Sequence, residues 1–122
     1  MHDLNEKTAI ITGGAQGLGR AFATRLVEEG CNVAIVDKRQ EVTKVGSDLG
    51  VLAFKGEVGD SVHVRHVVDT VVDTFKGIDI LINNAGEVLP TGPLDPWEEA
   101  VSTYERIFSS NTRGAFLYGR AV

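Results

Sequence analysis

The residues with chemistry to offer begin near the amino terminus. Thr12-Gly13-Gly14-Ala15-Gln16-Gly17-Leu18-Gly19 is a glycine-rich turn set between the apolar run Thr8-Ala9-Ile10-Ile11 and a helix-like run that starts at Gly17. Three of its glycines have separate jobs. Gly13 takes the angles of a tight turn, Gly17 lets the main chain approach a phosphate, and Gly19 lets the next helix lie against the strand. Free N–H groups at that helix start face an anion, and Ala15, Gln16 and Leu18 complete the cradle. The spacing differs from the common G-x-G-x-x-G fingerprint, so the loop needs company to be read. Asn32-Val33-Ala34-Ile35-Val36 supplies it: a second buried strand that closes on Asp37, roughly twenty residues after Gly19. A carboxylate there accepts hydrogen bonds from adenosine ribose hydroxyls, so loop and acid together describe a dinucleotide site. The plainer role for Asp37 is a solvated loop carboxylate.

These groups need elements to position them, and the chain alternates them. Thr8 to Ile11 reads as a strand covered on both faces. Gly17 to Glu29 reads as a helix with Leu18, Phe22 and Leu26 inward and Gly30 as its stop. Gln40 to Leu49 is a helix interrupted by Gly46, and Val51 to Phe54 a third strand. Ser61 to Phe75 is the clearest helix: Val64, Val67, Val68, Val71, Val72 and Phe75 recur at spacings of three and four, with Ser61 as cap and Gly77 as terminator. Ile78 to Ile82 is a fourth strand, followed by Asn83-Asn84-Ala85-Gly86 and a loop with Pro90, Pro93 and Pro96. Asp95 and Glu98 form a capping box for a last helical stretch to Val122. The pattern predicts an α/β, Rossmann-type parallel sheet with helices on both faces, ending after the helix that follows strand four. In that topology strands one and four meet where the order reverses, so the glycine loop and Asn83 to Gly86 converge on one crevice.

Composition excludes several functions. A chain of 122 residues is one domain, spanning residues 1–122, and 43% hydrophobic content fits a folded, water-soluble protein. A net charge of −5 argues against a nucleic-acid surface. The start, Met1 to Lys7, lacks a basic segment followed by an apolar stretch, so secretion is not expected, and no run is suited to a membrane. Cys31 is the only cysteine, which excludes an intrachain disulfide and fits a packing role in a reducing cytoplasm. His63 and His66 share one helix at i, i+3 without a third ligand, so they are read as exposed and no metal is expected. Trp97 and Phe108 read as packing residues before a substrate wall.

Thr12-Gly13-x-x-x-Gly17-x-Gly19 together with Asn83-Asn84-Ala85-Gly86 resembles the short-chain dehydrogenase/reductase family, over essentially all 122 residues but only the first half of a family member of usual size. The resemblance implies an oxidoreductase that moves hydride between a nicotinamide and a small-molecule alcohol or ketone, usually as a homo-oligomer. Asn84, Ala85 and Gly86 would line the cofactor cleft, Thr12 and Asn83 would be structural, and Val58 in Gly56-Glu57-Val58 would bind the cofactor beside the position whose side chain contacts the adenine ring. Glu57 stands where the family commonly has aspartate. Asn111, in Ser109-Ser110-Asn111-Thr112-Arg113, would be the catalytic asparagine that holds a water in a proton relay; without the resemblance it is a surface residue. The loop from Glu87 to Pro96 would border the substrate entrance.

Departures limit what the resemblance implies. The family's proton donor lies in Tyr-x-x-x-Lys after a serine on strand five, and neither occurs in this stretch. Tyr104 is followed four positions on by Phe108 and Tyr118 by Val122, so no lysine depresses a phenol, and these residues alone are expected to be inactive. The fourth strand, apolar throughout, would form an exposed edge, which predicts poor solubility or association of the isolated product. Asp37 favours NAD and repels a 2′-phosphate, while Lys38 and Arg39 keep NADP open. A nucleotide-binding module without catalysis is the alternative. A methyltransferase using S-adenosylmethionine is opposed by Asn83 to Gly86, and a P-loop hydrolase by the missing Gly-Lys-Ser/Thr.

Overall fold

The computed structural model describes residues 3–122; Met1 and His2, at the head of the segment read for a targeting signal, lie outside the described residues. The elements run β1 (Thr8–Thr12), α1 (Gly17–Glu28), β2 (Asn32–Asp37), α2 (Glu41–Leu49), β3 (Leu52–Lys55), α3 (Ser61–Phe75), β4 (Ile80–Ile82), α4 (Trp97–Phe108), a π-helical segment (Ser109–Arg113) and α5 (Gly114–Ala121). All strand pairs are parallel, in the order β3-β2-β1-β4. Register is set so that Thr12 lies beside Val36 and Ile11 beside Ile82, which brings the carboxyl ends of β1, β2 and β4 level.

Alternation along the strands divides the core into two layers. Ile10, Ala34 and Val36 point to one face, where Val64, Val67, Val68 and Val71 of α3 and Tyr118 of α5 cover them. Ile11, Val33 and Ile35 point to the other, against Ala23 of α1 and Val42 and Val45 of α2. Every residue of β1 is buried, as a strand with helices on both sides requires. The fold is the predicted one.

Several local expectations are corrected. The inward face of α1 is Gly19 and Ala23, with Leu26 and Val27 beside them, whereas Leu18 and Phe22 are exposed. The reason is the close approach of α1 to the loop: a Cβ on Gly19 would lie 2.0 Å from the Gly13 carbonyl oxygen, so only small residues fit beneath the helix there. In α2, Gly46 is no interruption; it packs against Ala53, whose Cβ would be 2.5 Å from an added methyl. Asp60, not Ser61, caps α3 by accepting from the N–H groups of Val62 and His63, and Lys76, at φ 71°, ends it in place of Gly77. Val72 of the predicted stripe is exposed.

Strand β4 starts at Ile80, not Ile78, because the Asp79 carboxylate takes the Thr8 N–H at 2.9 Å where a ladder carbonyl would otherwise do so. The Asp95–Glu98 capping box does not form. Pro96 precedes α4, and the Asp95 carboxylate turns back to the Gly92 N–H. The last helical stretch is not continuous either, since the π segment divides it.

Candidate functional site

The glycine loop leaves β1 and is tied at once to β2: the N–H groups of Gly13 and Gly14 donate to the Val36 carbonyl at 2.7 and 3.2 Å. Gly13 sits at φ +69°, and a Cβ there would meet the Asn84 amide at 2.9 Å and the Ala85 Cα at 3.0 Å. Gly17 differs. It has φ +56°, and a Cβ on it would meet nothing within 4 Å, so the space in front of the helix start is open. Gln16 precedes α1 in an extended conformation and offers no side-chain cap, and the first turn carries no acidic residue. The first N–H groups of α1 therefore lack both an intrahelical acceptor and a side-chain one, the arrangement that suits an anion.

Asp37 is 5% exposed at the end of β2. One carboxylate oxygen accepts from the Ala15 N–H at 3.0 Å and the other from the Arg39 N–H at 2.9 Å. The acid thus holds the glycine loop in place and is no solvated loop carboxylate, and each oxygen retains a lone pair for a further donor. On the opposite wall, the buried Thr12 hydroxyl accepts from the N–H groups of Asn84 and Ala85 at 3.1 and 3.0 Å, and the Asn84 amide donates to the Gly13 carbonyl at 3.2 Å. Asn83 is exposed. The crevice between these walls is lined by Gly13, Asp37, Lys38, Arg39, Gly56, Glu57, Val58, Ala85, Gly86, Glu87 and Ser110. Val58 contributes to its floor while its side chain belongs to the buried core with Tyr118.

Asn111 lies in the π segment, where one extra residue per turn widens the helix. Its side-chain oxygen accepts from the Glu87 N–H at 2.6 Å and the Ser110 hydroxyl at 2.8 Å, and its amide nitrogen donates to the Glu87 carbonyl at 2.8 Å. Asn111 therefore fastens the segment to the turn after β4, a contact that sequence reading did not anticipate.

Glu87 is the residue that reading missed. Its side chain is only 14% exposed and bridges two cations, Lys38 beyond β2 and Arg106 on α4. The Arg106 guanidinium donates to both carboxylate oxygens, at 2.9 and 3.0 Å. The available signal was a charged residue directly after Asn-Asn-Ala-Gly. Arg39, also read as a cation for the site, donates to the Gln16 amide oxygen at 2.9 Å in the amide orientation that satisfies both groups.

Other candidates fall into place. His66 is exposed as expected, but His63 is half-buried: its Nε2 is enclosed without a partner, over Gly56, and burial lowers its pKa. Among the described residues no three side chains are grouped to hold a metal ion. Tyr118 is fully buried, its hydroxyl lacks a partner, and desolvation pushes its pKa far above the ordinary phenol value. Tyr104 is exposed and stacks on Phe108 at 5.8 Å. Trp97 and Phe108, expected to pack, are 77% and 49% exposed and enter neither core layer. Cys31 is partly buried, donates to the Leu4 carbonyl at 3.2 Å, and is pushed up by burial and by Glu29 and Asp79, as suits an inert thiol. No helix among the described residues is long and apolar enough to cross a membrane.

Comparison with known proteins agrees with this geometry. A family model described as short chain dehydrogenase matches residues 7–122. The galactitol 2-dehydrogenase of Agrobacterium fabrum is 36% identical over 122 residues, covering 98% of this chain and 46% of that protein. Among solved structures, a short-chain dehydrogenase/reductase from Burkholderia phymatum in complex with NAD superposes with a TM-score of 0.89 at 27% identity, over 99% of this chain and 44% of that one. A 3-ketoacyl-(acyl-carrier-protein) reductase from Brucella melitensis complexed with NADH gives 0.83 at 32% identity, over 96% and 49%. The chain spans less than half the length of each of these three proteins.

Proposed function

Because the chain belongs to the short-chain dehydrogenase family, we propose that it binds NAD in the crevice and serves hydride transfer between the nicotinamide and a small-molecule alcohol or ketone. When bound, the nicotinamide supplies or accepts the hydride. The residues described above do the holding. The N–H groups of Gly17, Leu18 and Gly19, with the turn from Gly13 through Ala15 and Gln16, face the pyrophosphate. Asp37 accepts from the adenosine ribose hydroxyls while it keeps Ala15 in position. Val58 lies along the adenine, and Asn84, Ala85 and Gly86 form the wall toward the nicotinamide. Asn111 stands behind that wall, bound to Glu87, with its main chain in a widened turn suited to holding a water for proton transfer. The uncapped helix start at Gly17, with open space before it, carries this reading.

The acid for the carbonyl oxygen has to come from elsewhere. Tyr118 is sealed in the core, and Tyr104 lies exposed on α4, stacked on Phe108 and absent from the crevice lining, so neither phenol serves. On this reading the 122 residues bind nicotinamide nucleotide without turning over substrate by themselves, work in a reducing cytoplasm, and form part of a homo-oligomeric enzyme. The likeness to a galactitol 2-dehydrogenase makes polyols the first alcohols to try.

Fluorescence titration with NADH tests the proposal. Gly17→Asp is the informative variant, since aspartate tolerates φ above zero yet places a carboxylate where the pyrophosphate would sit. Wild-type chain should bind, and the variant, although strained at this positive φ, should still melt as a folded protein and lose affinity by about thirtyfold or more. Absence of NADH binding by the wild type, or equal binding by the variant, would overturn the reading. Turnover of alcohols by the whole protein that carries this chain separates an enzyme from a binding module.

A further inference from the structure

The crevice is lined by charges of both signs, among them Asp37, Lys38, Arg39, Glu57 and Glu87. Lys38 directly follows Asp37 and lines the same crevice, a cation next to the carboxylate proposed to hold the adenosine ribose. It is already engaged. Its ammonium pairs with the Glu87 carboxylate from across the crevice, with the two side chains only 29% and 14% exposed, so the pair is shielded from bulk water. Arg106 grips both oxygens of the same carboxylate from the far side at 2.9 and 3.0 Å, so Glu87 is held where it is. Arg39, the next cation on the crevice wall, donates to the neutral Gln16 amide oxygen in the amide orientation that satisfies both groups.

Resting on the cofactor reading above, we infer that Glu87 is a cofactor-selectivity residue: by occupying Lys38 it denies the one available ammonium to a ribose 2′-phosphate and so favours NAD over NADP. The two cofactors differ only in that phosphate, so contacts to the pyrophosphate, the adenine and the nicotinamide cancel in the comparison. What remains is the local balance at the ribose. A 2′-phosphate brings up to two negative charges beside Asp37, with Glu57 on the same rim, and binds well only if a cation faces it. To take Lys38 it has to displace a carboxylate that a bidentate arginine fixes in place. Asp37 disfavours the phosphate directly; Glu87 disfavours it by withholding the compensating charge.

The test measures NADH and NADPH affinities for the wild-type chain, Glu87→Gln, Lys38→Met, the double variant and Arg106→Met, with a melting curve for each. Glu87→Gln keeps the size and removes the charge; it should tighten NADPH by about tenfold and move NADH by less than twofold. The gain should vanish in the double variant, which identifies Lys38 as the group released. Lys38→Met alone should leave NADPH affinity near the wild-type value, because the ammonium it removes is already taken, and Arg106→Met, which frees the carboxylate that Arg106 fixes, should tighten NADPH by less than Glu87→Gln does. NADH binding with an unaltered ratio in Glu87→Gln, a gain that persists without Lys38, or a tenfold loss of NADPH affinity in Lys38→Met alone each overturns the inference while the cofactor reading stands. Should Glu87→Gln fail to fold, the Lys38→Met measurement still decides. If neither nucleotide binds the wild type, the cofactor reading falls and takes this inference with it.

Discussion

Thr12 offers one hydroxyl oxygen to two backbone donors, the N–H groups of Asn84 and Ala85, in a place 1% exposed to solvent. Valine has nearly the same shape and no acceptor. Thr12→Val should therefore cost about 1 kcal/mol in urea unfolding, since it leaves the part-buried Ala85 N–H without its acceptor while the Asn84 N–H keeps the Ile82 carbonyl, and it should weaken NADH binding by loosening the wall that Asn84 anchors. Thr12→Ser should restore most of both; if valine proves neutral, the hydroxyl does not join the two walls. That the glycine turn, the end of β2 at Asp37 and the turn Asn84 to Gly86 meet at one crevice was legible in the sequence, because strand–helix alternation fixes which strand ends adjoin and close approaches restrict the glycines. Thr12 and Gly13 show it well: one needs an acceptor, the other needs no Cβ. Glu87 was not legible, because its two partners lie far away in sequence and only the folded register brings them to it.

Helix α3 shows where periodicity informs and where it stops. Its valines predict the buried face correctly at Val64, Val67, Val68 and Val71, but His63 rides on the margin of that face and is drawn in over Gly56. Burial holds its imidazole below the ordinary pKa; Asp60 opposes this and His66 adds to it. Unfolded, the same group titrates near 6.5, so the unfolded chain binds more protons as pH falls below that value, and stability present above it is lost on acidification. Comparing melting temperatures at about pH 7.5 and about pH 5.5 should show a smaller drop for His63→Gln than for the wild type. An equal drop in both would mean that His63 is not the group responsible. The misread ends of α1 and α4 have a common cause: a cap or an inward face depends on what the neighbouring segment leaves room for. Gly13 crowds α1, and Gly92 captures the carboxylate that would have capped α4.

Across the whole molecule, stability and site are laid out at different depths of one sheet. The β1 and β2 strands are buried on both faces, while β4 stands at the edge with all three residues only partly covered and its outer hydrogen-bonding groups unpaired among the described residues. Open apolar edges invite pairing. The 122-residue chain on its own should therefore scatter light as an assembly larger than one copy, and a sharp, stable monomer in light scattering would contradict that. The parallel order and the two-layer core were legible because alternation of short apolar runs with helical stripes admits few topologies. The π segment was not, for nothing in Ser109 to Arg113 announces an extra residue in a turn. That extra residue acts as a phase shifter: α4 runs in with no buried side chain, and α5 runs out with Gly114 and Tyr118 turned into the core. Removing one residue from the segment would rotate one helix by about 100° against the other, so the aromatic face of α4 and the anchoring face of α5 can change sequence independently only while that offset is kept.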